Sequence, residues 1–294
     1  MISVIVVSFE TGALLDRCLQ SVAGLAESGH EIIVVDNASR DGSADRIRRH
    51  FGFTRVLGLE ENVGFGAANN HAAAVARGEA LLLLNPDAWL EEGCAEHLLD
   101  GLTQSPRLGL VAPSIFYPNG RLQFNWDPSR GVLGEAVQTL RNRFEGRAWA
   151  HRPCARLIRA CGDPGWYSAS CFLVRRQAWD DIGGFDERFF LYFEDADLCS
   201  RLLDAGWTMT DVPTAKAFHE KSSASSDQGK VAYRRSQFAY YRKHRPRWES
   251  HFLIRKQRRK FGRIADSEVR QELLAVLLEA EQALGASGRS RGDG

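Results

Sequence analysis

Several absences narrow this 294-residue sequence before any motif is considered. Its six cysteines (Cys18, Cys94, Cys154, Cys161, Cys171 and Cys199) form no CxxC pair and no zinc-like spacing, so reduced, structural thiols are expected. No apolar run approaches a membrane span. The opening run ISVIVVSF is too short, and too poor in flanking basic residues, for a secretory leader. A cytoplasmic location is the expectation. The formal net charge of +1 excludes a global polyelectrolyte role, so no nucleic-acid partner is expected. The glycine fingerprint of dinucleotide binding is also missing. Gly64 and Gly66 precede a helix, but a third glycine is lacking and the segment follows the third strand candidate rather than the first, which disfavours an NAD-dependent dehydrogenase. There is no internal repeat.

What is present reads as alternating buried strands and helices, in a chain whose 44% hydrophobic content can fill a substantial core. ISVIVVS (2–8) is a β-branched run suited to a strand covered on both faces. Leu14, Leu15, Cys18, Leu19 and Val22 then recur at helical spacing, and EIIVVD (31–36) completes a βαβ unit. After the polar loop NASRDGS come a helix from about 44 to 50 and a third strand at 55–59. An alanine-rich helix ending near Gly78 leads to a fourth strand, LLLLN (81–85), closed by Pro86. This pattern predicts an α/β fold built on an open, mostly parallel Rossmann-like sheet with helices on both faces, and ligands beyond the carboxyl ends of its strands. The segments that matter are therefore 8–11, 36–43, 60–70 and 85–87.

Beyond residue 90 a helix (92–104), a strand (108–112) and a hairpin turn at Tyr117 to Arg121 follow. Periodicity weakens over 124–164, which reads as an insertion over the site. SASCFLVRR (168–176) restores a strand. WTMTDVP is another strand, with His219 in the polar loop after it. Residues 234–263 carry twelve Lys or Arg against one acid, Glu249, with aromatics interleaved. Two readings stand: a surface for anionic lipid headgroups or phosphates, giving peripheral membrane contact, or a solvated helical face whose aromatics pack on the core. Val269, Leu273, Val276, Leu277 and Leu284 mark an amphipathic helix for docking or for pairing with another subunit, as in a homodimer. The expected organisation is a domain over 1–222, a basic, aromatic helical extension over 223–284 and a disordered tail over 285–294.

The chemistry-bearing residues fall at these boundaries. In FFLYFEDADL (189–198), Glu194, Asp195 and Asp197 follow an aromatic run at a helix start. Helix capping and a catalytic site both explain that, because a helix N-terminus favours negative charge. Asp36 ends a buried strand, where a carboxylate can accept from a base or ribose or serve as a turn residue. Gly64 and Gly66 let backbone approach a ligand, or simply shape a capped turn. Asn85 and Asp87 of NPD offer the oxygen ligands a hard cation such as Mg²⁺ or Mn²⁺ prefers, and His219 offers an imidazole.

Taken in order, VIVVSFE (4–10), VVDNASRDGS (34–43), ENVGFGAANN (61–70), LLLLNPD (81–87) and the stretch 170–202 containing FEDAD resemble the family 2 glycosyltransferases of the GT-A fold. They are most similar to the bacterial rhamnosyltransferase-like branch. The resemblance covers about 2–222, apart from 124–164. It implies inverting, metal-dependent transfer of a sugar from a nucleoside diphosphate to an acceptor hydroxyl. Asp195 then matches the general base, Glu194 shapes the acceptor pocket or tunes its neighbour, and Asp197 is structural. Asp87 matches the metal-binding aspartate of the DxD motif, while Asn85 departs from that motif by standing where many members have its first Asp. His219 matches a histidine that completes the metal shell in some relatives. Ser8, Phe9, Glu10 and Asp36 are implied to hold the nucleoside, with Asn62, Gly64 and Asn69 lining the sugar-nucleotide site. The donor implied is dTDP-L-rhamnose, the nearest rival a UDP-linked sugar. The acceptor implied is a glycan or polyprenyl-diphosphate-linked sugar in cell-surface polysaccharide synthesis, met at the inner membrane face. A non-catalytic nucleotide-sugar-binding protein of the same fold is the alternative of a different class.

Overall fold

The computed structural model describes residues 1–127, 131, 132, 134–136, 139, 165–220, 227–265 and 267–289. Most of the expected insertion at 124–164, and the final residues 290–294, lie outside the described residues.

The first half follows the expected alternation. Strands β1 (Ile2–Ser8), β2 (Glu31–Asp36), β3 (Arg55–Gly58) and β4 (Ala80–Leu84) pair in parallel, in the order β3-β2-β1-β4. They are linked by helices α1 (Leu14–Ser21), α2 (Ala23–Glu27), α3 (Ser43–His50) and α4 (Phe65–Val75). Strand alternation divides the core cleanly. Ile5, Val7, Ile33, Val35, Leu81 and Leu83 face one layer with the alanines of α4, whereas Val4, Val6, Ile32, Val34, Leu82 and Leu84 face the other with Leu15 and Leu19 of α1. Apolar residues on both faces explain why these strands read as continuous hydrophobic runs.

The second half makes the sheet mixed. β5 (Ala88–Leu90), helix α5 (Cys94–Thr103) and β6 (Leu108–Phe116) lead into the predicted hairpin, where Tyr117 N–H donates to Arg121 C=O at 2.7 Å and β7 (Leu122–Gln123) pairs with β6. β8 (Trp126–Asp127) and β9 (Trp166–Tyr167) form a separate two-stranded ribbon. β10 (Cys171–Arg175) enters antiparallel between β4 and β6, followed by α6 (Arg176–Ile182) and α7 (Glu194–Asp204). β11 (Thr208–His219) lies parallel to β6 and antiparallel to β5. Thus His219 belongs to a strand, not to the polar loop expected from the sequence. Pro213 reads as a strand end because it lacks an N–H, but it falls in an irregularity between Val212 and Lys216, after which pairing resumes.

Three helices complete the chain: α8 (Asp227–His244), α9 (Arg247–Phe261) and α10 (Glu268–Arg289). α10 runs into the stretch expected as tail, taking up residues 285–289. Its apolar face was expected to dock or to pair with another subunit. Leu273, Val276, Leu277 and Leu284 are buried within this chain, docked against α8 and α9.

Candidate active site

The carboxyl ends of β1, β2 and β4 open onto a cleft of about 920 Å³. Its walls include Phe9, Glu10, Asn62, Gly64, Asn85, Asp87, Glu194, Asp195 and His219, so nine of the expected site residues meet in one place. Ser8, Asp36 and Asn69 do not reach that wall. Ser8 is buried and its hydroxyl bonds Thr11 Oγ1 at 2.8 Å. Asp36, 7% exposed, accepts from Ser39 N–H at 3.3 Å and shapes the loop behind the cleft. Asn69 sits one helical turn after Phe65 on the buried side of α4 and donates to the Phe65 carbonyl at 2.8 Å.

At the end of β2 the wall residue is Asn37. Its amide ties three segments together: Nδ2 donates to Asn62 Oδ1 at 2.9 Å, Oδ1 accepts from Val63 N–H at 3.0 Å, and its own N–H donates to Ser8 C=O at 2.8 Å. Its place directly after a strand end was the available signal. The loop it anchors then presses on the aromatic run, where Phe65 N–H donates to Phe190 C=O at 2.9 Å. Gly64 is required there, because φ 88° and ψ 171° are open essentially only to glycine, and an added Cβ would collide with the Phe190 carbonyl.

The opposite wall is the start of α7. Tyr192 and Phe193 both hold left-handed backbone (φ 68° and 66°), which costs a non-glycine residue about 1–2 kcal/mol each. The C-terminal extension holds this turn. The rings of Tyr192 and Phe193 lie 5.6 and 5.2 Å from that of Tyr233, and Ser236 Oγ donates to Leu191 C=O at 2.8 Å. Tyr233 itself lines the cleft, a contribution hidden in sequence because it comes from α8. Burial, then the Glu194 charge and Tyr233, push the Tyr192 phenol up. Asp195 follows in the first turn of α7. Its Oδ1 accepts from Ala196 N–H at 2.7 Å and its Oδ2 from Ala169 N–H at 3.4 Å, contacts that fix the carboxylate at the cleft wall. Asp197 is fully buried away from the cleft, bonded to Arg201 Nε at 2.7 Å, Lys243 Nζ at 2.5 Å and His244 Nε2 at 2.6 Å. It therefore joins α7 to α8, the structural part expected of it.

Between these walls, the turn after β4 carries Asn85 and Asp87. Asn85 N–H donates to Ser170 C=O and its C=O accepts from Ala88 N–H, both at 3.0 Å. Cys18 lies under this turn, its thiol 3.5 Å from Asn85 C=O and pushed well up by burial and then by the Asp87 charge. Pairing of β5 with β11 sets Ala88 opposite His219, which brings His219 Nε2 to 3.2 Å from Asp87 Oδ1. The other ring nitrogen, Nδ1, faces Gln123 Oε1 at 3.1 Å. An amide oxygen there calls for hydrogen on Nδ1, leaving Nε2 toward Asp87 as a second electron-pair donor. Two such donors close together need a proton or a cation between them. The spacing also suits adjacent ligands of an octahedral ion, whose bonds of about 2.1 Å separate neighbouring donors by about 3.0 Å. A divalent cation fits this pair. Among the described residues no group of three or more His, Cys, Asp or Glu could hold a metal, so the remaining ligands would come from substrate and water.

The family model for glycosyl transferase family 2 matches residues 3–183. N-acetylglucosaminyl-diphospho-decaprenol L-rhamnosyltransferase of Mycobacterium tuberculosis is 31% identical over 242 residues, covering 76% of this chain and 78% of the relative. Among solved structures, the mannosyltransferase PcManGT from Pyrobaculum calidifontis, in complex with GDP-Man and Mn²⁺, superposes with a TM-score of 0.57 at 17% identity, covering 98% of this chain and 79% of that one. S. aureus TarS gives 0.58 at 16% identity, covering 96% and 49%. The fold is the GT-A fold, and the chain belongs to glycosyl transferase family 2.

Proposed function

We propose that this glycosyltransferase moves L-rhamnose from dTDP-L-rhamnose to a hydroxyl of a polyprenyl-diphosphate-linked sugar, with inversion and Asp195 as general base. The observation that carries the mechanism is the meeting of Asp195, on the α7 wall, with the Asp87 and His219 pair in a single cleft. The name of the mycobacterial relative supports the donor sugar and the lipid-linked acceptor.

Phe9, Glu10, Asn37 and Asn62 take the nucleoside end of the cleft, and the glycine-bearing turn at Gly64 gives backbone close access to the donor. Asp87 and His219 would hold the cation, Mg²⁺ or Mn²⁺, with Asn85 as the neighbouring turn residue. When bound, that cation supplies positive charge to the leaving diphosphate. Asp195 removes the acceptor hydroxyl proton as the oxygen bonds the sugar C1. The C1–phosphate bond breaks on the opposite face, and the nucleoside diphosphate leaves with the electron pair. Glu194 and the rings of Tyr192 and Tyr233 form the acceptor wall. Backbone contacts to Asp195 hold it in place for this role.

The test is thermal protection by a panel of nucleotide sugars with Mg²⁺ or Mn²⁺, followed by transfer to a lipid-linked N-acetylglucosamine acceptor. The largest shift and product formation are expected with dTDP-L-rhamnose. A larger shift with a UDP-sugar would reassign the donor, and protection without product under any pairing would favour a non-catalytic binder.

A further inference from the structure

The basic, aromatic stretch 234–263 divides into a packed half and an open half. Phe238, Tyr240, Tyr241 and Phe261 are core residues, as are Leu253 and Ile254 on the inner face of α9. On the outer face of α9, Trp248 is 63% exposed and Phe252 48%. Arg255 and Arg259 are exposed beside them. At 3.6 residues per turn, these four positions fall within an arc of about 60°. Two large apolar side chains are thus exposed one turn apart on a helix whose other face is already packed.

Among the described residues, only part of the charge around the patch has a carboxylate beside it. Glu249 is buried and bonded to Arg245, while Arg258 pairs with Glu281 and Lys256 lies 3.7 Å from Glu135. Among the described residues, Arg255, Arg259, Lys260 and Arg263 have no carboxylate at ion-pair distance. Lys260 is held low first by burial and then by the cations Arg234 and Lys256.

We propose that the outer face of α9 docks the protein on an anionic bilayer, with Trp248 and Phe252 entering the headgroup boundary and Arg255 and Arg259 meeting lipid phosphates. Aromatic anchors set among basic residues on a surface helix are what such an interface needs. Each Lys or Arg near an anionic surface strengthens partitioning by about fivefold. A polynucleotide would use the arginines but gives the paired apolar side chains no comparable medium. A two-fold contact with a second copy would set the same cations against themselves. The purpose of docking, bringing the cleft to a lipid-linked acceptor, rests on the proposed function; the surface itself rests on α9.

The test is co-sedimentation of the full chain with phosphatidylcholine vesicles, with and without phosphatidylglycerol. Binding is expected only with the anionic lipid, to fall more than tenfold in both Trp248→Ser/Phe252→Ser and Arg255→Glu/Arg259→Glu, and to weaken with salt. Thermal unfolding and nucleotide-sugar protection check that the variants are folded. Absent binding, or binding unchanged in folded variants, overturns the proposal. So does loss in the arginine variant alone together with equal affinity for duplex DNA, which would assign the face to nucleic acid. A wild-type dimer that the Trp248→Ser/Phe252→Ser variant breaks would assign it to a second copy. A chain that ignores vesicles yet binds its donor leaves the transferase reading intact, whereas one that docks but transfers nothing fails only that reading.

Discussion

His219 Nε2 lies 3.2 Å from Asp87 Oδ1, and Gln123 Oε1 holds the opposite nitrogen of the same imidazole. β5 and β11 create the first contact, while the β6–β7 hairpin delivers the second residue. Partners that fix a ligand's tautomer raise metal affinity. Gln123→Leu is therefore expected to weaken Mn²⁺ binding by about tenfold. Asp87→Ala should abolish metal-dependent donor binding. Electron paramagnetic resonance titration of Mn²⁺ in the presence of nucleoside diphosphate reads both, and unchanged affinity in either variant would remove that residue from the cation site.

Gly64 lets two cleft segments touch, and its backbone is closed to other residues. Gly64→Ala is expected to destabilise the fold by about 2 kcal/mol, from the backbone strain and the collision with Phe190 C=O. Denaturant unfolding measures the loss, and nucleotide-sugar protection should weaken with it. Gly183 also has positive φ but no atom within 4 Å of an added Cβ, so Gly183→Ala, strained without the collision, should cost less and spare the donor site.

Lys243 bridges two carboxylates, Asp197 at 2.5 Å and Asp186 at 2.6 Å. For Asp197, burial pushes the carboxyl up, but His244, Lys243 and Arg201 outweigh it and the net direction is down. Arg188 is the main group holding Asp186 down, opposed by burial and aided by Lys243. Unfolded aspartates titrate near about 3.9. Their native counterparts release protons at lower pH, so the stabilisation is complete above about pH 4 to 5 and lost as pH falls through the folded values. Thermal melts should show this acid limb. Lys243→Ala is expected to cost about 2 kcal/mol at neutral pH, discounted for its partial exposure, with the difference from wild type shrinking on acidification. A difference that stays constant through the whole acid limb would contradict the assignment.

Local signals made the first half of the fold legible. β1, β2 and β4 are apolar runs with sharp turns after them, and the residues at those turns largely became the cleft. Less legible was whatever depended on long-range pairing. β5 is only three residues long and has meaning only beside β11, whose continuation was masked by Pro213. Gln123 and Tyr233 reach the site from a hairpin and a C-terminal helix, so no nearby motif announces them. Asn69 shows the reverse case: it lies in a recognisable motif, but the helical period turns it inward. The aromatics of 234–263 could have been surface or core, and most are core, leaving Trp248 and Phe252 outside.

The most direct test is single-turnover transfer by Asp195→Asn, with donor binding followed in parallel. The amide keeps the shape of the side chain but cannot take the acceptor proton. Transfer from dTDP-L-rhamnose to a lipid-linked acceptor should fall by about 10³-fold, while protection by the donor with Mn²⁺ stays at the wild-type level. Transfer at the wild-type rate by the folded variant would contradict the role of Asp195 as the base.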